Sequence, residues 1–236
     1  MVELDTKSPC FPSVSSADAD GLLAVGGNLE PETLCRAYRR GIFPWYEEGQ
    51  PLLWWSPDPR MVLLSNGMRV SRSLNKVIQS QFSDIRLNYN FNAVIERCAV
   101  CRDRRAATWI TQAMRDAYLT LHQAGCAHSV EVYHHGALVG GLYGVGIGRM
   151  FFGESMFSDV SNASKVALFY LCRHLYAHQV MLIDCQVKTP HLQTLGAFDM
   201  ARGQFIEYVS KLCALEAPVG LWQRRRFSPI SKVQRP

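Results

Sequence analysis

The 236-residue chain reads as an α/β protein in two parts, a small N-terminal domain over residues 1–62 and a mixed-sheet α/β domain over residues 63–236. Three observations predict this. Hydrophobic residues make up 48% of the chain against 19% charged, enough for a sizeable core and unlike a disordered or fibrous polymer. The first sixty residues are interrupted by Gly, Pro and Trp, whereas the rest is carried by strongly periodic segments. Within that periodic part the order is strand, strand, strand, helix, strand, an α/β arrangement.

The elements follow in order. Gly21 to Gly27, Gly41 to Trp45 and Trp54 to Arg60 are turn-rich, and one short helix fits between them. Pro31 sits at its first turn, and Glu32 to Arg40 contains no breaker before Gly41. Ser71 to Gln79 predicts a helix and Ile85 to Tyr89 a strand. Phe91 to Arg102 and Thr111 to Ala124 carry apolar positions at helical spacing. Three strands come next, Ser129–Tyr133, Leu138–Val145 and Met150–Ser155, separated by His134-His135-Gly136 and Gly146-Ile147-Gly148 as hairpin turns. A helix from Asn162 to His178 follows, with Ser161 or Asn162 as its cap, then a buried strand over Val180–Val187. Two helical segments and a short strand close the chain. This order is similar to that of the acetyltransferase-type (GNAT-type) fold, a likeness of fold and not of function.

Composition narrows the class. No apolar run approaches the roughly 20 residues of a membrane span. Met1 to Ser16 carries Glu3 and Asp5 without a continuous apolar core and does not read as a signal peptide, so a cytoplasmic protein is expected. Eight scattered cysteines then read as reduced thiols. Cys98-x-x-Cys101 is the one close pair; a zinc site would need Cys126 and His128 as well, and two ordinary helix thiols is the simpler account. The net charge of +5 permits a polyanionic partner without demanding one. Its basic stretches are Arg97 to Arg105 with Arg115, Arg69 to Lys76, and Arg224 to Arg226, each of which reads equally as a solvated face.

Two constellations carry chemistry. Met181 to Val187 reads as a buried strand that contains an acid and an amide. With period-two alternation, Asp184 and Gln186 share one face and Ile183, Cys185 and Val187 the other. Such a pair needs partners, and marks either a cleft or a structural hydrogen-bonded pair. In Met150 to Ser158, Glu154 stands among large apolar residues. Burial there would favour its protonated form unless donors compensate, which makes it a candidate to bind an amine or guanidinium, or a salt-bridged structural acid. Absences matter too. The chain has no G-x-S-x-G, P-loop or G-x-G-x-x-G motif, and Phe157 to Lys165 lacks the glycines on which acyl-CoA enzymes of similar fold hold a pyrophosphate. No serine or cysteine nucleophile is paired recognisably with a histidine.

Gly21 to Gly27, Arg40 to Trp45, Leu53 to Arg60, Thr108 to Thr111, Gly153 to Ser158 and Leu182 to Gln186 together resemble the signature blocks of the leucyl/phenylalanyl-tRNA protein transferase family. The resemblance runs from about Phe11 to Phe227. It implies a bacterial cytoplasmic enzyme of the N-degron pathway, expected to be monomeric and to need no metal or cofactor. Its donors would be Leu-tRNA and Phe-tRNA, with Met as a further donor, and its acceptors proteins with N-terminal Arg or Lys. Asp184 and Gln186 match the family's catalytic pair, Asp184 polarising and orienting Gln186, and Glu154 matches its active-site acid. Tyr38, Trp45, Trp109 and Tyr118 match aromatics that hold the 3′-adenosine and shape the entrance. Phe151, Met156, Leu168, Leu171, Leu175 and Ile183 match the side-chain pocket, Leu142 stands where a methionine can occur in relatives, and Ser158 closes the Gly153 to Ser158 block. Against this stand two rivals, an acyl-CoA acyltransferase on the same fold and a non-catalytic RNA-binding module.

Overall fold

Two sheets organise the molecule, and the chain passes from one to the other between Trp55 and Arg60. The computed structural model describes residues 2–100 and 110–230. The first sheet is formed by β1 (Val2–Leu4), β2 (Leu22–Gly26), β3 (Phe43–Pro44) and β4 (Leu53–Trp55), in the order β1-β2-β4-β3. Helix α1 (Pro31–Tyr38) lies between β2 and β3 and begins on Pro31, whose missing N–H costs nothing in a first turn. Trp54 is fully buried, packs edge-on against Phe11 at 4.7 Å, and donates its indole N–H to Gly26 O at 2.8 Å.

The second sheet has eight strands among the described residues. They are β5 (Arg60–Leu64), β6 (Asp84–Leu87), β7 (Ala127–His134), β8 (Ala137–Ile147), β9 (Met150–Ser158), β10 (Leu182–Gln186), β11 (Phe198–Met200) and β12 (Arg225–Phe227), in the order β11-β5-β10-β9-β8-β7-β6-β12. Strands β7, β8 and β9 form the expected meander. Its first turn places both His135 and Gly136 at positive φ, as a two-residue hairpin requires. The second turn is Gly148-Arg149, one residue later than the glycine spacing suggested. Gly148 sits at φ 60°, and a Cβ there would stand 2.6 Å from the carbonyls of Leu212 and Leu215. After β9 the chain crosses through α5 (Ala163–Ala177) and returns as β10, parallel to β9. This parallel pair inside an otherwise antiparallel sheet is the mixed-sheet class expected from the sequence.

Helices cover both faces. On one side lie α2 (Arg72–Ser80) and α5; on the other lie α3 (Phe91–Ala99), α4 (Gln112–Gln123) and α7 (Arg202–Ala214) together with the N-terminal layer. Strand β5 shows the alternation: Val62 enters the core shared with Trp54, while Met61 and Leu63 enter the core under α5. Helix α5 is buried on nearly all sides, so its sequence is apolar round most of the helix. Its cap differs from expectation. Asn162 occupies the cap position in the left-handed region without a side-chain bond, and Ser158 Oγ accepts from Ser164 N–H at 3.2 Å instead. Strand β6 stops at Leu87 because Asn88 turns to φ 59°. No helix among the described residues is long and apolar enough to cross a membrane.

Candidate active site

Parallel strands β9 and β10 pair over Met150–Phe152 and Leu182–Asp184 and then separate. A cavity of about 440 Å³ opens where they part, between Gly153–Met156 and Cys185–Val187, a size within the range of small-ligand sites. Leu142, Phe151, Met156, Leu168, Leu171 and Ile183 form its apolar wall. Trp45, 40% exposed, stands at its edge and is braced by Trp55, which packs against it at 5.7 Å and donates its indole N–H to Trp45 O. The short helix α6 (Pro190–Thr194) adds Thr189, His191 and Leu192 to the wall.

At the parting point the sheet is bulged between Asp184 and Gln186, and Gln186 adopts φ 60°. A non-glycine residue there carries backbone strain of about 1–2 kcal/mol. Asp184 holds it in place: its Oδ1 accepts the Gln186 backbone N–H at 2.8 Å. The carboxylate is itself fixed by Arg60, whose Nε and Nη2 donate to its two oxygens at 2.8 and 2.7 Å. Both side chains are fully buried, and the guanidinium lies between the rings of Phe43 and Phe205 at 4.6 and 4.8 Å. Asp184 therefore acts on the backbone of Gln186 and does not touch its amide, and the bulge breaks the simple alternation read from the strand.

The Gln186 side chain reaches Glu154, donating from Nε2 to Oε1 at 2.7 Å. Tyr38 donates to the same oxygen, and Tyr118 to Oε2, each at 2.7 Å. The two hydroxyls are 2.5 Å apart. Desolvation dominates at Glu154 and pushes its carboxyl up to about 7, with Asp184 raising it further and the three donors opposing. Burial likewise lifts Tyr38, Tyr118 and Tyr143 well above the usual phenol range.

This arrangement changes several assignments. Tyr38 and Tyr118 are fully buried beneath Glu154 and offer no face on which an adenine could stack. Leu175 lies outside the cavity wall, in the core under α5. Ser158 is likewise absent from the wall and braces the start of α5, with its hydroxyl donating to Val160 O. Trp109, Cys101, Arg102, Arg104 and Arg105 lie outside the described residues. Cys98 is a half-buried thiol hydrogen-bonded to Ser155, its pKa pushed up to about 12 by desolvation, and the described residues contain no cluster suited to a metal ion. Of the basic stretches, Arg97 pairs with Asp159, and Arg224 packs on the Tyr89 ring at 4.1 Å. Arg60 and the α6 wall were the residues missed. The Trp-Trp-Ser-Pro-Asp-Pro-Arg block contained the first, and the Thr189-Pro190 helix start signalled the second.

An apolar pocket that ends on an acid and an amide can seat an acyl group beside an acceptor amine, the arrangement that an acyl-transfer enzyme needs. Known proteins narrow this further. The family model for leucyl/phenylalanyl-tRNA protein transferase matches residues 62–210, and the model for that family's N-terminal domain matches residues 27–58. The leucyl/phenylalanyl-tRNA protein transferase of Pseudomonas putida (strain W619) is 53% identical over 209 residues, 88% of this chain and 92% of that one. That of Azoarcus sp. (strain BH72) is 50% identical over 94% of this chain and 95% of its own. That of Chromohalobacter salexigens is 53% identical over 90% of this chain and 84% of its own. Among solved structures, L-PGS from Bacillus licheniformis aligns with a TM-score of 0.39 at 7% identity, covering 71% of this chain and 53% of that one, too distant to carry an argument. The chain belongs to the leucyl/phenylalanyl-tRNA protein transferase family, and is an aminoacyltransferase.

Proposed function

We propose that the protein moves leucine or phenylalanine, with methionine as a further donor, from charged tRNA to the α-amine of proteins that begin with Arg or Lys. In this reading it works in the cytoplasm as a monomer, needs no metal or cofactor, and marks its acceptors for the N-degron pathway. Residues 1–62 are read as the small N-terminal domain and 63–236 as the catalytic one, a boundary that falls within β5 of the larger sheet. The observation that carries the reading is the cavity between β9 and β10: an apolar wall with room for a Leu or Phe side chain, ending on Glu154 and Gln186. The family match over most of the chain supplies the donor class.

An aminoacyl ester is already activated, so the reaction is aminolysis. A free α-amine has a pKa of roughly 8, and a fraction is neutral at pH 7. Positioning then does most of the work, on the order of 7–11 kcal/mol. Gln186 spends its amide N–H on Glu154, which leaves its carbonyl oxygen to accept an N–H of the attacking amine. The Arg60–Asp184 pair keeps that amide aimed through the backbone bond to Gln186. Trp45 offers its exposed face to the terminal adenine, a contact of roughly 1–3 kcal/mol. The basic stretches hold the tRNA body without reading its sequence, with affinity falling as salt rises. The test is transfer of labelled leucine from Leu-tRNA to an Arg-initiated peptide; folded protein that transfers none overturns the reading.

A further inference from the structure

Three oxygen–oxygen contacts close a ring through Glu154 Oε1, Tyr38 Oη, Tyr118 Oη and Glu154 Oε2, at 2.7, 2.5 and 2.7 Å. Each contact needs one proton. The two tyrosines supply two. With Glu154 ionised, both hydroxyls donate to the carboxylate and their mutual contact is left as two facing lone pairs. With Glu154 protonated, all three contacts carry a hydrogen bond, and the ring can run in either direction. Taking up a proton therefore gives this acid a hydrogen bond that its ionised form lacks, which is the reverse of the ordinary carboxylate surrounded by donors.

We propose that Tyr38, Tyr118 and Glu154 form a proton-accepting ring, in which the Glu154 carboxylate takes the proton released by the attacking amine and returns it to the departing ribose oxygen. The proposal rests on the transferase reading and assigns Tyr38 and Tyr118 a part in the chemistry away from the adenosine. In the step, a bond forms between the acceptor nitrogen and the aminoacyl carbonyl carbon, and the ester C–O bond breaks. The proton leaves nitrogen for Glu154, completing the ring, and then passes to the ribose oxygen, so that the ring ends as it began. No further reactant is needed. Glu154 borders the cavity beside Gln186, so the carboxylate and the amide oxygen that receives the amine lie side by side.

The groups that face Glu154 come from each element packed on it. Tyr38 comes from α1, Tyr118 from α4 and Tyr143 from β8; Gln186 and Asp184 come from β10, the latter neutralised by Arg60 of β5. Burial and Asp184 favour the proton, and the Tyr and Gln donors favour the carboxylate, leaving the acid at about 7. Losing one tyrosine hydroxyl removes a donor to the carboxylate, which raises that value, and also breaks the ring, which lowers it; losing the second removes only a donor.

The experiment measures kcat and KM for leucine transfer from Leu-tRNA to an Arg-peptide across pH, using the full chain. Wild type should lose kcat as pH falls through about 7. The limb shifts of Tyr38→Phe and Tyr118→Phe should not add: the limb of the double variant should lie above the sum of the single shifts, because the ring is broken only once, with KM within about twofold. Glu154→Gln, which keeps an isosteric partner for both hydroxyls, should abolish the limb and lower kcat by about 10²-fold or more, the usual worth of a positioned acid or base. Tyrosine shifts that simply add in the double variant, or a Glu154→Gln enzyme that retains the limb, overturn the ring. Infrared difference spectra of wild type against Glu154→Gln give a readout independent of transfer and of the tyrosine variants' folding. They should show a protonated buried carboxyl that titrates near neutrality, and its absence overturns the ring even if the protein transfers no amino acid at all.

Discussion

Asp184→Ala is the most exacting perturbation, because it separates architecture from chemistry. It removes one carboxylate that accepts three hydrogen bonds: two from the Arg60 guanidinium and one from the Gln186 backbone. Arg60 is left fully buried between Phe43 and Phe205 without its counter-charge. Breaking a buried pair in this way costs about 3–5 kcal/mol. The lost Gln186 bond adds about 1 kcal/mol, and freeing the strained φ of Gln186 returns a similar amount, so the net stays near 3–5 kcal/mol. Arg60→Met should cost a comparable amount by stranding the acid. The double variant Arg60→Met with Asp184→Ala removes both charges and should be more stable than either single variant, a coupling of several kcal/mol. Urea unfolding with a constant m-value reads these numbers. The double variant should still transfer leucine slowly, since nothing then holds the Gln186 bulge. An Asp184→Ala protein within about 1 kcal/mol of wild type, or single-variant costs that simply add in the double variant, would refute the reasoning.

Three further outcomes follow from the same structure. Leu171→Phe narrows the apolar wall and should lower kcat/KM for Phe-tRNA by about 10-fold or more relative to Leu-tRNA; equal losses for both donors, in competition with mixed charged tRNAs, would remove Leu171 from the selectivity wall. Glu131 is fully buried, and desolvation pushes it up to about 7; a carboxyl raised in the folded state stabilises fully below its unfolded pKa and loses that contribution as pH rises through the folded value, so stability should decline between about pH 4.5 and 7. Glu131→Gln should flatten this decline, read as midpoints of chemical unfolding at each pH. Cys35 and Cys126 interact across α1 and the turn after α4; their hydrogen bond raises Cys35 and lowers Cys126, and the Arg39 guanidinium lowers both. Iodoacetamide at neutral pH should thus label Cys126 before Cys98, Cys172 and Cys213, whose thiols desolvation pushes up, as peptide mapping would show.

Periodicity made the large domain legible, because its helices and strands bury one face or both and repeat at 3.6 or 2. It located α2 to α5 and β6 to β10 to within a few residues. It misplaced boundaries where single residues turn the backbone, at Asn88 and at the Gly148-Arg149 turn. The family resemblance, not any local pattern, named Leu142, Phe151, Met156, Leu168, Leu171 and Ile183, all of which line the cavity.

What the sequence by itself determined was the mixed α/β class, the order of its elements, and an acid and an amide on one core strand with a second acid nearby. Only the tertiary structure decided what those groups do. Arg60 lies 124 residues from Asp184, and Tyr38 lies 116 from Glu154. No local pattern encodes such partners, because they meet through the pairing of β5 with β10 and the packing of α1 and α4 against β9. The bulge at Gln186 is equally invisible to period-two counting, since it exists only where a strand must leave its neighbour to open a cavity.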